Sequence, residues 1–138
     1  MAITGIGHLA LTVSDMKKSL DFYTGPMGFA KVFEIPDDSG KPWIVYLKVG
    51  NGQFVELFYP AGEPAADGVK RAGFNHACFL VDDIQKTVAE IQKRGGVLDR
   101  PIKTGKDGNH QAWVKDPDGT RIELMQIMPQ SPHAKHMK

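Results

Sequence analysis

The sequence predicts an α+β fold built from two β-α-β-β-β modules, because one pattern of residues occurs twice in 138 residues. His8 matches His76 and Glu56 matches Glu123, and the surrounding apolar residues have the spacing of strands and helices. We expect one domain over residues 1–128, with module one at about 5–59, a linker at 60–73 and module two at about 74–128. Residues 129–138 have no core pattern, which predicts a mobile tail.

The first module begins with a strand over His8–Val13, in which apolar residues alternate with a face that carries the histidine. Ser14 and Asp15 are residues typical of a helix N-cap, and the apolar stripe that follows them is helical in spacing. Asn51-Gly52 indicates a hairpin turn before the last strand. The strands after the helix are predicted near 30–35, 43–49 and 53–59.

The second module repeats this plan from His76 onward. Asp82 or Asp83 caps a helix that has Ile84, Val88 and Ile91 on one side. Gly95-Gly96 ends the helix, and residues 116–119 have the composition of a turn. The remaining strands are predicted near 97–102, 111–115 and 120–128.

Four residues of this repeat are candidate metal ligands: His8, Glu56, His76 and Glu123. In each module the histidine lies on the first strand and the glutamate on the last, on the face turned away from the helix. Two cupped sheets paired as a partly open barrel would bring all four together around one ion. A single histidine or glutamate of this kind is usually structural, but the repeated pair favours a metal site.

Two neutral imidazoles and two carboxylates balance the charge of one divalent ion. This donor set suits zinc or nickel, with cobalt, manganese or ferrous iron as alternatives, and leaves coordination positions for substrate. Apolar residues on the same faces either fill the core or, if the cup is open, line a small-molecule pocket around the ion. They are Phe54, Phe58, Cys78, Leu80 and Met125. We interpret Cys78 as a wall residue and not a nucleophile, and His110 as a residue of a surface or substrate loop and not a fifth ligand.

The composition argues against several other classes of protein. Seventeen basic and sixteen acidic residues give a net charge of +1 without charged runs, so we expect neither nucleic acid nor a membrane as a partner. The sequence has neither an export signal nor an apolar stretch long enough to span a bilayer. Together with the single cysteine, this predicts a cytoplasmic protein.

Four segments resemble the vicinal oxygen chelate superfamily, which includes glyoxalases, bleomycin resistance proteins and dioxygenases. They are GHLALTVSDMKKSLDFYTGPMGF, VELFY, FNHACFLVDD and KDPDGTRIELMQ. The resemblance covers nearly the whole chain and is strongest to the glyoxalase I branch. It implies a homodimer with a divalent metal held by His8, Glu56, His76 and Glu123.

By the same resemblance, we expect a metal-dependent lyase or isomerase that acts on a small carbonyl compound or hemithioacetal through a metal-bound enediolate. Glu123 is the first choice as the base that moves the proton, and Glu56 is the second. Glutathione-using relatives carry an arginine where this chain has Thr12, and a polar residue where it has Pro60. The resemblance therefore does not extend to glutathione as the thiol.

Three alternatives remain open within the superfamily. An acyl-thioester epimerase needs the same proton transfer and differs in the outer pocket. An extradiol-type dioxygenase prefers two histidines and one carboxylate on ferrous iron, and a fourth ligand argues against it. A non-catalytic drug-binding dimer would instead use aromatic residues such as Trp43, Tyr46 and Trp113 to stack a flat ligand.

Overall fold

The structure, a computed structural model, describes residues 6–60 and 74–137. The chain divides into two compact units, residues 1–64 and 65–138. Each contains the element order β-α-β-β-β, and in the second unit a short helix follows the last strand. Each unit contains one four-stranded mixed sheet, and the described residues form no closed barrel. The predicted α+β class is confirmed. Apart from Pro60, the predicted linker lies outside the described residues.

The first unit has all five predicted elements. Asp15 caps the helix by accepting a hydrogen bond from the Lys18 backbone N–H. The sheet has the order β1-β4-β3-β2, with β1 parallel to β4 and the other neighbours antiparallel. The elements are β1 (His8–Thr12), α1 (Met16–Thr24), β2 (Ala30–Pro36), β3 (Pro42–Gly50) and β4 (Gln53–Phe58).

Strand alternation separates the core of the first unit from its polar face. Val45 pairs with Leu57 and Leu47 pairs with Val55 across β3 and β4, and all four side chains are buried. Burying each such side chain contributes about 1.5–3 kcal/mol, so this face fixes the register of the central strands. Glu56 lies between Val55 and Leu57 in the sequence and therefore points to the other face.

The second unit repeats the topology with the sheet order β5-β8-β7-β6. Asp83 caps its helix, and Ile84, Val88 and Ile91 are buried on the side that packs against β7 and β8, as predicted. His76 immediately precedes the first strand and does not lie within it. The elements are β5 (Ala77–Leu80), α2 (Ile84–Lys93), β6 (Arg100–Thr104), β7 (His110–Lys115), β8 (Arg121–Gln126) and α3 (Pro132–Lys135).

Two predictions in the second unit were wrong: the start of the strand after the helix and the position of His110 in a loop. The strand expected near 97–102 begins at Arg100, which pairs with Trp113, and Val97 is 79% exposed. β7 continues past Trp113 to Lys115, and Asp99 N–H donates to the Trp113 carbonyl at 2.7 Å, so the chain reaches the sheet at Asp99 and the regular pairing starts at Arg100. His110 was expected in a loop, but it is the first residue of β7 and lies opposite Gln126.

The segment after β8 is tied to the second unit by side-chain hydrogen bonds. Asn109, which is fully buried, accepts a hydrogen bond from the Met128 backbone N–H at 3.0 Å. Ser131 is also buried, and its hydroxyl accepts from Ala134 N–H at the start of α3. The segment predicted to be a mobile tail thus includes a short helix, while its mobility stays a prediction. Among the described residues no helix is long and apolar enough to cross a membrane.

Candidate metal centre

The first predicted pair of ligands lies on the polar face of the first sheet. Parallel pairing places His8 opposite Phe54. Glu56 lies two residues farther along β4, on the same face of the sheet as His8. His8 Nε2 lies 3.1 Å from Glu56 Oε2. The glutamate side chain is only 7% exposed, whereas that of His8 is 49% exposed. The pair therefore combines a buried carboxylate with an accessible imidazole.

The second pair has nearly the same geometry. His76 Nε2 lies 3.2 Å from Glu123 Oε2, and these side chains are 32% and 10% exposed. His76 Nδ1 lies 2.6 Å from the Asn75 side-chain oxygen, which can only accept a hydrogen bond. In the tautomer that carries its proton on Nδ1, His76 donates to Asn75 and Nε2 is available as a metal ligand. A proton or a cation between Nε2 and Oε2 makes this approach favourable.

The two N–O distances fit a shared metal ion. Ligand atoms that are each about 2.1 Å from one ion and at right angles to one another lie roughly 3 Å apart. Imidazole nitrogen and carboxylate oxygen are also ligands that zinc, nickel and related divalent ions accept. Within residues 6–60 and 74–137 the candidates occur as two pairs, without a cluster of three or more His, Cys, Asp or Glu side chains. Convergence of all four stays a prediction.

Glu56 has a second strong partner that the sequence did not identify. Tyr46 lies directly opposite it on β3, and the tyrosine hydroxyl donates a hydrogen bond to Glu56 Oε1. The ring is held by stacking on Phe33, with centroids 4.2 Å apart. This hydrogen bond to Glu56 raises the pKa of Tyr46. One carboxylate oxygen thus faces His8 while the other is restrained by the phenol.

Glu123 lies among different neighbours. The residue opposite it on β7 is Trp113, whose indole N–H donates to Gln111 Oε1 at 2.8 Å and not to the glutamate. The Trp113 ring contacts His76 edge to face, with centroids 4.9 Å apart. Arg121 Cζ lies 4.7 Å from the centroid of the same ring. The second carboxylate therefore has an aromatic neighbour where the first has a phenolic donor.

Cys78 lies opposite Glu123 on β5. Cys78 is exposed as a whole residue, but partial desolvation of its thiol and the nearby Glu123 carboxylate raise the pKa of the thiol to about 12, so the thiol is neutral near pH 7. A neutral thiol agrees with the prediction that this residue is part of the wall.

Of the other predicted site residues, four lie on the same faces as the two glutamates and one lies on the opposite face of the second sheet. Phe54 and Phe58 share a face with Glu56, and Met125 shares one with Glu123, as does Leu80, which is 58% exposed. His110 alternates with Gln111 and so lies on the opposite face from Glu123. This position agrees with the prediction that His110 is not a ligand.

The sequence pattern of the Glyoxalase/Bleomycin resistance protein/Dioxygenase superfamily matches residues 5–124, which include both His–Glu pairs. The chain belongs to this superfamily. The resemblance seen in the sequence motifs is thereby confirmed, and the match covers the first module and the second module as far as Leu124. The family also contains non-enzymes, so membership alone does not decide the activity.

The chain is also similar to individual proteins whose names state an activity or a family. The chain is 38% identical over 125 residues to a protein of Vibrio cholerae named Probable lactoylglutathione lyase, covering 86% of this chain and 88% of that protein. It is 29% identical over 129 residues to the human protein named Methylmalonyl-CoA epimerase, mitochondrial, covering 88% and 73%. The crystal structure of a glyoxalase family protein from Enterococcus faecalis aligns with a TM-score of 0.78 and 26% identity, covering 91% of this chain and 99% of that one.

Proposed function

We propose that this superfamily member is a metal-dependent lyase or isomerase of the glyoxalase I type, which moves a proton beside a carbonyl group in a hemithioacetal or similar small substrate. The observation that carries the proposal is the repeated His–Glu pair, with N–O distances of 3.1 and 3.2 Å, spaced like neighbouring ligands of one ion. The similarity of the chain to a protein named Probable lactoylglutathione lyase supports this type of reaction.

His8, Glu56, His76 and Glu123 would hold the ion, with zinc or nickel as the first candidates. When bound, the ion supplies Lewis-acid stabilisation of negative charge on adjacent substrate oxygens. The protein contributes two carboxylates that offset the divalent charge, and His8 and His76 remain accessible enough to meet a ligand. Phe54, Phe58 and Met125 share the faces of these residues and would exclude water from the reacting carbons.

Glu123 is the proposed base, and the hydrogen bonds of the two glutamates support this choice. Oε1 of Glu56 accepts from Tyr46, which restrains that carboxylate. Glu123 instead faces the ring of Trp113 and the weakly donating thiol of Cys78. A carboxylate oxygen of Glu123 would accept the proton from one carbon and return it to the neighbouring carbon. The reaction is redox-neutral and needs no second substrate.

An acyl-thioester epimerase is the second candidate, because a human relative is named Methylmalonyl-CoA epimerase. Here the base would remove a proton beside the thioester carbonyl and a proton would return to the opposite face of the same carbon. The two reactions share the proton transfer and differ in the substrate that the outer pocket accepts.

The test is to reconstitute the purified chain with zinc, nickel, cobalt, manganese or ferrous iron and to offer both substrate classes. We expect one tightly held ion for each set of four ligands, and turnover of methylglyoxal hemithioacetals. Exchange of the α-proton of a branched acyl thioester into deuterated water, without lyase turnover, would establish the epimerase. A fully loaded site with no turnover of either class would refute both. Less than about half an equivalent of metal would favour a ligand-binding protein.

The proposed assembly is a homodimer. We expect sedimentation analysis to give twice the 15.2 kDa chain mass, and a monomer at assay concentration would refute it. Mixing His8→Ala with His76→Ala chains then locates the site. Recovery of activity on mixing means that the ligands come from two subunits, because one site of each mixed dimer has a full ligand set. No recovery means that they come from one chain.

A further inference from the structure

We infer that Arg121 binds the anionic end of the thiol carrier to which the reacting carbonyl compound is attached. This inference rests on the proposed function and adds the specificity of the outer pocket. It concerns the class of carrier, an anionic thiol, and the residue that recognises it.

Arg121 lies on the same face of the second sheet as Glu123. The two residues are separated by one position on β8, so their Cα atoms are about 7 Å apart and their side chains point the same way. Trp113 lies opposite Glu123, and its ring contacts both Arg121 and His76. Two ring contacts of 4.7 and 4.9 Å therefore connect the guanidinium to a proposed metal ligand.

The guanidinium of Arg121 lies over a supported aromatic ring. The Trp113 ring that supports it is 7% exposed and is fixed by the indole hydrogen bond to Gln111. Stacking on a ring uses the flat face of a guanidinium, whereas its N–H groups project in the plane of the group. Such a fork binds a carboxylate or a phosphate with two parallel hydrogen bonds.

The charge on Arg121 is also less compensated than that of its basic neighbours. Lys115 Nζ lies 3.1 Å from Asp99, and Arg100 Nε lies 4.0 Å from the same carboxylate. In the described parts of the chain Arg121 has no acidic partner within ion-pair distance. Of these three cations it is the one whose positive charge is available to a ligand.

The position in the first module that matches Arg121 holds no cation. Thr12 is uncharged, and the residue of the first module that matches Arg121 is Phe54. The same guanidinium fits the carboxylates of a glutathione-like carrier and the phosphates of a coenzyme A-like carrier. The chemistry shared by both sources is an anion attached to a thiol at some distance from the reacting carbonyl.

The experiment measures ligand binding by the metal-loaded chain and does not depend on turnover. In a Trp43→Phe background the tryptophan fluorescence reports Trp113 alone, because the chain has two tryptophans. The probes are S-methylglutathione, its diethyl ester and S-methyl-coenzyme A, in which the blocked sulfur cannot act as a thiolate ligand. The variants are Arg121→Gln, Arg121→Lys and the control Lys115→Gln, which removes the same charge from the position opposite Arg121.

We expect at least one anionic probe to quench Trp113, and Arg121→Gln to raise its Kd about tenfold, the effect of losing a hydrogen bond to a charged group. The diethyl ester should bind Arg121→Gln and the parent protein equally. Arg121→Lys should recover part of the affinity, and Lys115→Gln should change Kd by less than about twofold. Whichever anionic probe responds identifies the source, carboxylate or phosphate.

Equal effects of Arg121→Gln and Lys115→Gln, an unchanged Kd, equal losses for acid and ester, or failure of both anionic probes to bind would each overturn the inference. A chain that binds an anionic probe through Arg121 but turns over neither substrate class would refute the proposed reaction alone. Turnover with a KM that is independent of Arg121 would refute the inference alone.

Discussion

The two units share their topology and their His–Glu distance but differ in what surrounds the carboxylate. Glu56 accepts a hydrogen bond from Tyr46, whereas Glu123 faces the ring of Trp113 from the matching strand position. Farther along the same strands, the first unit has Phe54 where the second has Arg121. Repetition has therefore kept the ligand geometry while the neighbours changed. Under the proposed function, we expect both units to hold the ion, and the second unit also to supply the base and to select the substrate.

Replacing one glutamate at a time should give the largest difference between the two units. We expect Glu123→Gln to lower kcat by at least about 100-fold, because the amide cannot accept the proton, while metal occupancy falls much less. Glu56→Gln should lose activity and metal occupancy together. Turnover and bound metal are measured on the same preparations. Parallel losses in both variants would show that the two carboxylates have equivalent roles.

Replacing Asn109 tests whether its hydrogen bonds stabilise the second unit. Its side chain is fully buried, accepts from Met128 N–H and donates to Asp107 Oδ2 at 3.0 Å, while the matching residue in the first unit is Pro42. We expect Asn109→Ala to lower the free energy of unfolding by about 2–3 kcal/mol. Urea denaturation measures the change. Hydrogen exchange should show lost protection at Met128 before β3 and β4 lose theirs, and unchanged protection at Met128 would contradict the assignment.

Removing the phenol of Tyr46 gives the smallest expected effect. Tyr46→Phe retains the ring and its contact with Phe33 but leaves Glu56 Oε1 without this donor. We expect metal affinity to fall about five- to tenfold, measured by competition with a chelating dye. The control is Phe33→Leu, which removes the stacking and keeps the phenol, and it should retain most of the affinity. An equal loss in both variants would mean that ring packing, and not the hydrogen bond, positions Glu56.

The sequence was sufficient for the features set by periodicity. Alternation assigned His8 and Glu56 to one face, and aspartate caps marked both helices. The Tyr46–Glu56 hydrogen bond was missed, although Asn51-Gly52 indicates the hairpin that places these residues opposite one another. Counting register back from that turn pairs Glu56 with Leu47, and only the register shift between Lys48 and Gly50 brings Tyr46 opposite Glu56. The choice of hydrogen-bond partner also depends on side-chain rotamers that packing decides.

Other differences come from interactions that are remote in the sequence. β6 starts where its residues begin to pair with β7, at Arg100 opposite Trp113, and local apolar residues such as Val97 carry no information about that point. The short helix α3 depends on a single cap from Ser131. Neither has the repeated spacing from which strands and long helices are predicted.

The parallel pairing of the first strand with the last also determines when each half-site appears during folding. β3 and β4 are joined by a two-residue turn and pair locally, but β1 must return from more than 40 residues away. Closing that loop carries the larger entropic cost, so we expect His8 and Glu56 to meet late. A ligand that bridges His8 and Glu56 would then stabilise the least local contact of its sheet. Because one unit already contains both residues, duplication of an ancestral gene would have copied a complete half-site.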